Sequence, residues 1–142
     1  MYEEMAQFAP SIHQLDLWIS FHGKDMQLAA ALNARCWSRA ELNQDLDRAL
    51  KDCNEALHLR PKSPAILDSR GLVRLRRAEF DRSIGDYDGA LALLPGLPTS
   101  LYGRGLAKPR KGLQAEGRTD LAAARAIQPD IDARFARFGL KP

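Results

Sequence analysis

Small and large side chains alternate along this chain in a helical rhythm that repeats three times. Ala49, Cys53 and Ala56 stand at i, i+4 and i+7, as do Ser83, Tyr87 and Ala90, and again Gly117, Leu121 and Ala124. That spacing places each set on one face of a helix. Five residues after each alanine comes a proline (Pro61, Pro95 and Pro129), 34 residues apart. A proline cannot continue the helix, so each marks an end.

A second pattern precedes the first in every unit: Leu32-Asn33-Ala34-Arg35-Cys36-Trp37, then Leu67-Asp68-Ser69-Arg70-Gly71-Leu72, then Leu101-Tyr102-Gly103-Arg104-Gly105-Leu106. The first two copies are 35 residues apart and the last two 34. One extra residue is therefore expected in the first unit, in the turn around Asn43-Gln44-Asp45. Ser63-Pro64 reads as a cap and first helical position, and Pro98 takes the same place one unit later. Each unit thus predicts two helices joined by a short turn. Pro109 is expected to truncate or kink its helix. Beyond the repeats, Asp130 to Phe138 predicts an added helix with Ile131, Phe135 and Phe138 on one side and Gly139 as its stop. Residues 1–28 fall outside the period. Ile12, Leu15, Trp18 and Ile19 suggest a helix there that Gly23 interrupts.

Pro-x-x-Leu-x-x-x-Gly followed by Ala-x-x-x-Tyr-x-x-Ala-x-x-x-x-Pro resembles the tetratricopeptide repeat. The copy from Pro64 to Leu97 is the clearest, carrying Gly71, Phe80, Tyr87, Ala90 and Pro95, with Ser83 where alanine is usual. The resemblance covers about 29–129. It implies an all-α solenoid of three helical hairpins, divided 29–63, 64–97 and 98–129. An N-terminal helical segment or cap over 1–28 and a capping helix with tail over 130–142 complete it, since a stack needs covered ends. It also implies a concave groove lined by the first helices, where a protein or peptide ligand lies. By motif position the groove takes Asn33, Asp68 and Tyr102 in one row and Trp37, Leu72 and Leu106 in the next. Ser69, Leu75, Arg76 and Arg110 follow along the same strip. A polar row beside an apolar one suits an extended peptide with an aromatic anchor. A competing occupant is the N-terminal segment, folded in over Trp37 and Leu72. The family's two-carboxylate clamp for chaperone C-termini needs lysine and asparagine, whereas Ala34, Ser38, Ser69, Thr99 and Gly103 stand at those places.

Composition leaves this picture intact. Of 142 residues 45% are hydrophobic and 27% charged, an ordinary globular balance, and no apolar run is long enough for a membrane span. The 21 basic and 18 acidic residues give a net charge of only +3, so nucleic acid is not the expected partner. Met1 to Pro10 lacks a basic region followed by an apolar one, so no signal peptide is expected. A cytoplasmic location follows, or a periplasmic one had a leader been removed. Cys36 and Cys53 fall at inward-facing positions of the first hairpin and are expected as small buried hydrophobes, with a disulfide as the alternative. His13, His22 and His58 share no metal-ligand spacing, so neither metal nor cofactor is expected.

The most enzyme-like residues are Arg35 with Asp52, Arg70 with Asp86 and Arg104 with Asp120. Their separations of 17, 16 and 16 track the extra residue. Catalytic groups do not recur in phase three times, so each arginine is expected to bond its aspartate as a structural tie. No catalytic residues are assigned, and a protein-binding scaffold rather than an enzyme is expected. The basic clusters 74–77 and 108–111 support an alternative, an anion- or RNA-binding repeat. As cations at helix C-termini they also complement the helix dipole.

Overall fold

The computed structural model describes residues 11–21 and 27–142. The interruption expected at Gly23, and His22 beside it, lie outside the described residues. Eight α-helices and one 3₁₀ turn form the described part: α1 Ile12–Phe21, α2 Leu28–Leu42, α3 Leu46–Leu59, α4 Pro64–Arg76, α5 Phe80–Leu93, α6 Pro98–Ala107, the 3₁₀ turn Lys108–Lys111, α7 Gln114–Ile127 and α8 Ile131–Ala136. Helices α2 and α3, α4 and α5, and α6 and α7 pack as antiparallel hairpins. The first helices α2, α4 and α6 also pack on one another, and each second helix packs on the first helix of the next unit. The result is an all-α solenoid of three hairpins with a short helix after the last.

Local chemistry sets the boundaries. Ser63 Oγ accepts from the Ile66 N–H at 3.3 Å, capping α4, while Pro64 and Pro98 open α4 and α6 at a position whose N–H needs no partner. Pro109 ends α6 early, and the chain tightens into the 3₁₀ turn. Each hairpin turn contains one left-handed residue in the same place: Asn43 (φ 53°), Ala78 (φ 59°) and Gly112 (φ 80°). In the second and third turns that residue is followed by one more before the second helix begins (Glu79 and Leu113), whereas in the first it is followed by two, Gln44 and Asp45, the latter also left-handed at φ 48°. The extra residue of the first unit is Asp45.

Each hairpin closes on a tight helix-to-helix contact at matching positions. In the second unit the Tyr87 ring fills the space beside Gly71, where an added Cβ would lie 2.8 Å from the ring. In the third, Leu121 packs on Gly105 at the same distance. In the first unit these positions hold Cys36 and Cys53, which form a disulfide with Cα atoms 5.7 Å apart. The expectation of two free buried thiols is corrected here. A first helix bearing glycine lets the second come close enough to seat a large ring. With cysteine on both sides, the same close approach brings the sulfurs into bonding range. Tyr87 also reaches the next unit, since a Cβ on Gly103 would lie 2.3 Å from its Cζ and Oη.

The three aspartates are buried, and each is held by two cations from one face of the first helix. Arg35 binds Asp52 through Nε and Nη2, both at 2.7 Å, and Arg39 Nη1 adds a third bond at 2.8 Å. Arg70 and Arg74 hold Asp86 in the same way, and Arg104 and Lys108 hold Asp120. The free Nη1 of each leading arginine reaches the preceding layer, to Asp16 of α1, Asn54 of α3 and Asp88 of α5. Helix α1 therefore stands where the second helix of a preceding unit would, with Leu15 buried, and not in the concave groove. Burial opposes ionisation of Asp120, but the bonds from Arg104 and Lys108 prevail and hold its pKa below the ordinary value. Removing one side of such a tie leaves a buried charge unanswered, at a cost of about 3–5 kcal/mol.

Two predictions follow from these contacts. Without reductant, unfolded protein should present no alkylatable thiol by mass spectrometry, and reduction should lower unfolding stability by about 3 kcal/mol. Two titratable thiols in unreduced protein would contradict the bond. Gly103→Ala should cost about 1–3 kcal/mol through the clash with Tyr87. Gly85→Ala, where an added Cβ meets nothing within 4 Å, should stabilise α5 by about 0.5–1 kcal/mol. Urea melts of the two variants separate the effects.

Candidate functional site

The first helices α2, α4 and α6 pack on one another and share one face. Asn33 and Trp37 on α2 are partly exposed, as is Arg76 at the end of α4. Asp68, Ser69, Leu72 and Leu75 on α4 are buried, and so are Tyr102 and Leu106 on α6. Leu72, Leu75, Tyr102 and Leu106 belong to the continuous apolar core. Arg110 lines a recess with Leu106, Lys141 and Pro142. The 3₁₀ turn forced by Pro109 carries its guanidinium over the Phe80 ring, 4.9 Å from the centroid, at the end of the second hairpin's turn.

Two parts of the face differ. At the α2 side a recess of about 290 Å³ is lined by Asn33, Trp37, Asp68, Ser69, Thr99 and Arg134, among others. Trp37 Nε1 donates to the Glu41 carboxylate, and its ring packs against the core. Asn33 Oδ1 is buried there and has no hydrogen-bond partner among the described residues. Burial pushes the Glu41 carboxyl up, opposed by the Trp37 bond and by Arg134.

At the α6 side the face is covered. Phe135 of α8 stacks at a tilt on Tyr102, ring centroids 4.4 Å apart, and the Tyr102 hydroxyl donates to Asp132 Oδ1 at 2.7 Å. Burial and that carboxylate raise the phenol pKa. Arg76 donates to the main-chain carbonyls of Ala40 and Glu41 at the end of α2, each at 3.0 Å, and to the carbonyl of Phe138. The segment after Pro129 thus crosses from the last hairpin to Tyr102 of α6 and Arg76 of α4. The sequence predicts this helix but contains no sign of that path.

The basic clusters are largely engaged within the fold. Arg74 and Lys108 serve the buried aspartates, Arg77 binds Asp47 and Glu79, and Lys111 binds Asp81 at 3.1 Å. The recurrence of a cation four residues after each leading arginine (Arg39, Arg74 and Lys108) was present in the sequence and marks them as partners of the aspartates. Among the described residues no group of histidine, cysteine, aspartate and glutamate is arranged to hold a metal ion. No helix among them is long and apolar enough to cross a membrane.

Asp68 is a buried acid on α4. Its carboxylate accepts from Thr99 Oγ1 at 2.9 Å and Ser100 Oγ at 2.6 Å, joining α4 to α6. Burial raises its pKa to about 6, partly offset by those two bonds and by Arg134. The folded value lies above the unfolded one, so the group is without effect below about pH 4. Its ionisation then weakens the fold as pH rises through 6. Asp68→Asn should therefore gain on the wild type by about 2–3 kcal/mol between pH 4 and pH 7 in paired urea melts. A difference that stays flat with pH would mean the acid ionises normally.

No family model matches the chain, and no curated protein matches it in sequence. Solved structures do. The first TPR domain of the human RPAP3 protein superposes with a TM-score of 0.68 at 16% identity, covering 80% of this chain and 91% of that one. A crystal structure of MamA gives 0.66 at 22% identity, covering 84% of this chain and 68% of that one. A second MamA structure gives 0.65 at 22% identity, covering 87% of this chain and 64% of that one. Three hairpins stacked through their first helices, with prolines after their second helices and this likeness to solved domains, give the chain the tetratricopeptide-repeat fold.

Proposed function

We propose that the concave face binds a segment of another protein, with the open recess beside α2 as the point of entry. The observation that carries this reading is a partly exposed aromatic, Trp37, beside the partly exposed Asn33 side chain in one concave recess. An apolar side chain of the bound segment supplies the area that the indole can cover, and the polar lining of the recess can pair with its main chain. Helices fixed by buried ionic ties hold both groups in place, which limits the entropy lost on binding.

The anion- or RNA-binding reading is less well supported, because the cations it needs at 74–77 and 108–111 are mostly bonded to acids or carbonyls of the protein itself. The disulfide favours an oxidising compartment as the place of work, because such bonds are rare where thiols are kept reduced. That supports a periplasmic or other exported location over a cytoplasmic one.

Selection from a displayed random-peptide library, with counter-selection on Trp37→Ala, tests the reading. Peptides sharing an apolar anchor should bind the wild type at least tenfold more tightly than Trp37→Ala, with little change between low and moderate salt. Binding of a random RNA pool that falls steeply with salt and ignores Trp37→Ala would favour the basic clusters instead.

A further inference from the structure

The half of the groove beside α6 already holds a ligand-like segment, and it belongs to this chain. After Pro129, α8 runs for only six residues, Ile131–Ala136. A helix this short is not stable alone, so its surroundings hold it. Phe135 is buried against Tyr102, and Phe138 lies beside Phe135 with ring centroids 6.0 Å apart. Asp132 accepts from the Tyr102 hydroxyl and from Arg125, which binds it through Nε at 2.6 Å and Nη2 at 3.0 Å. Gly139, at φ 77°, reverses the chain, so that the Leu140 N–H returns to the Phe135 carbonyl. The carbonyl of Phe138 is thereby presented to Arg76, on a helix 62 residues back in sequence.

Two of these contacts are made with residues that the repeat alignment assigns to the groove, Tyr102 and Arg76. They are of the two kinds a groove uses on a peptide: an aromatic side chain seated on a ring, and a main-chain carbonyl held by a cation. A layer serving only to cover the last hairpin would end on α6 and α7. This one continues to α4.

We propose that residues 131–140 are a tethered ligand of the groove, and that the partner is a protein segment of the same chemistry that displaces them. Such a segment carries an acid three residues before an aromatic, as Asp132 stands to Phe135, with a second aromatic three residues later, as at Phe138. The proposal rests on the groove being a peptide site and names both its regulator and its ligand class. A short tether keeps the internal segment at an effective concentration on the order of millimolar, so a free competitor is disfavoured until its own contacts extend into the open recess by Trp37.

The test uses the whole chain with a protease site inserted between Gln128 and Ile131. After cleavage the three hairpins should stay helical by circular dichroism. A fluorescent synthetic peptide of residues 129–142 should then bind the cleaved protein at least tenfold more tightly than the uncleaved one. Its Phe135→Ala version should bind at least tenfold more weakly. Collapse of the hairpins on cleavage, or equal binding to cut and uncut protein, would overturn the proposal. Native-state hydrogen exchange on the unaltered chain provides an independent reading. Residues 131–140 should open at lower denaturant than α4 to α7, and exchange only through global unfolding would make them plain core. If library peptides still require Trp37 while the 129–142 peptide fails, the groove reading stands and the tethered ligand falls.

Discussion

A carboxylate inside a helical hairpin has to be answered by cations, and this fold is organised around doing so three times. Asp52, Asp86 and Asp120 are each buried in a second helix, and each is met by two cations one turn apart on the first. The leading arginine then reaches back one layer. One guanidinium therefore fixes the angle within a hairpin and the register between hairpins. Neutral packing could supply similar area, but it would tolerate sliding. A planar fork on a carboxylate does not.

Close approach is the second constraint, and it explains residues that otherwise look unrelated. Gly71 and Tyr87, Gly105 and Leu121, and Cys36 and Cys53 are three answers to the same contact between the helices of a hairpin. Two use a hole and a knob, and one uses a covalent bond. Ser83 donating to the Gly71 carbonyl at 2.7 Å shows how closely the two backbones run.

Much of this was legible in the sequence, because a repeat states its contacts several times. The period, the proline stops and the arginine–aspartate partners all stood at equivalent places. The insertion could be placed within a three-residue turn, and left-handed geometry then singles out Asp45. The disulfide was visible in the same alignment, since the two cysteines occupy the positions where glycine meets tyrosine and glycine meets leucine. Composition argued for free thiols and obscured that geometry. The groove was less legible. Leu72 and Leu106 follow the motif and also join the core, and Arg110 stands in the 3₁₀ turn with its guanidinium over Phe80. The path of residues 131–140 rests on contacts such as Arg76 with Phe138, made once and across a long stretch of chain. Periodicity carries no record of such contacts.

The location of the covalent bond gives the stack a direction. In a solenoid each layer is stabilised by its own interior and by its neighbours, so loss of structure begins at a weaker end and spreads inward. Here the first hairpin is locked to itself, whereas the last is shortened by Pro109 and leans on a six-residue helix. Fraying therefore proceeds from α8 towards α2, so the stack behaves as a zipper anchored at one end. Its loosening uncovers Tyr102 long before it disturbs Trp37.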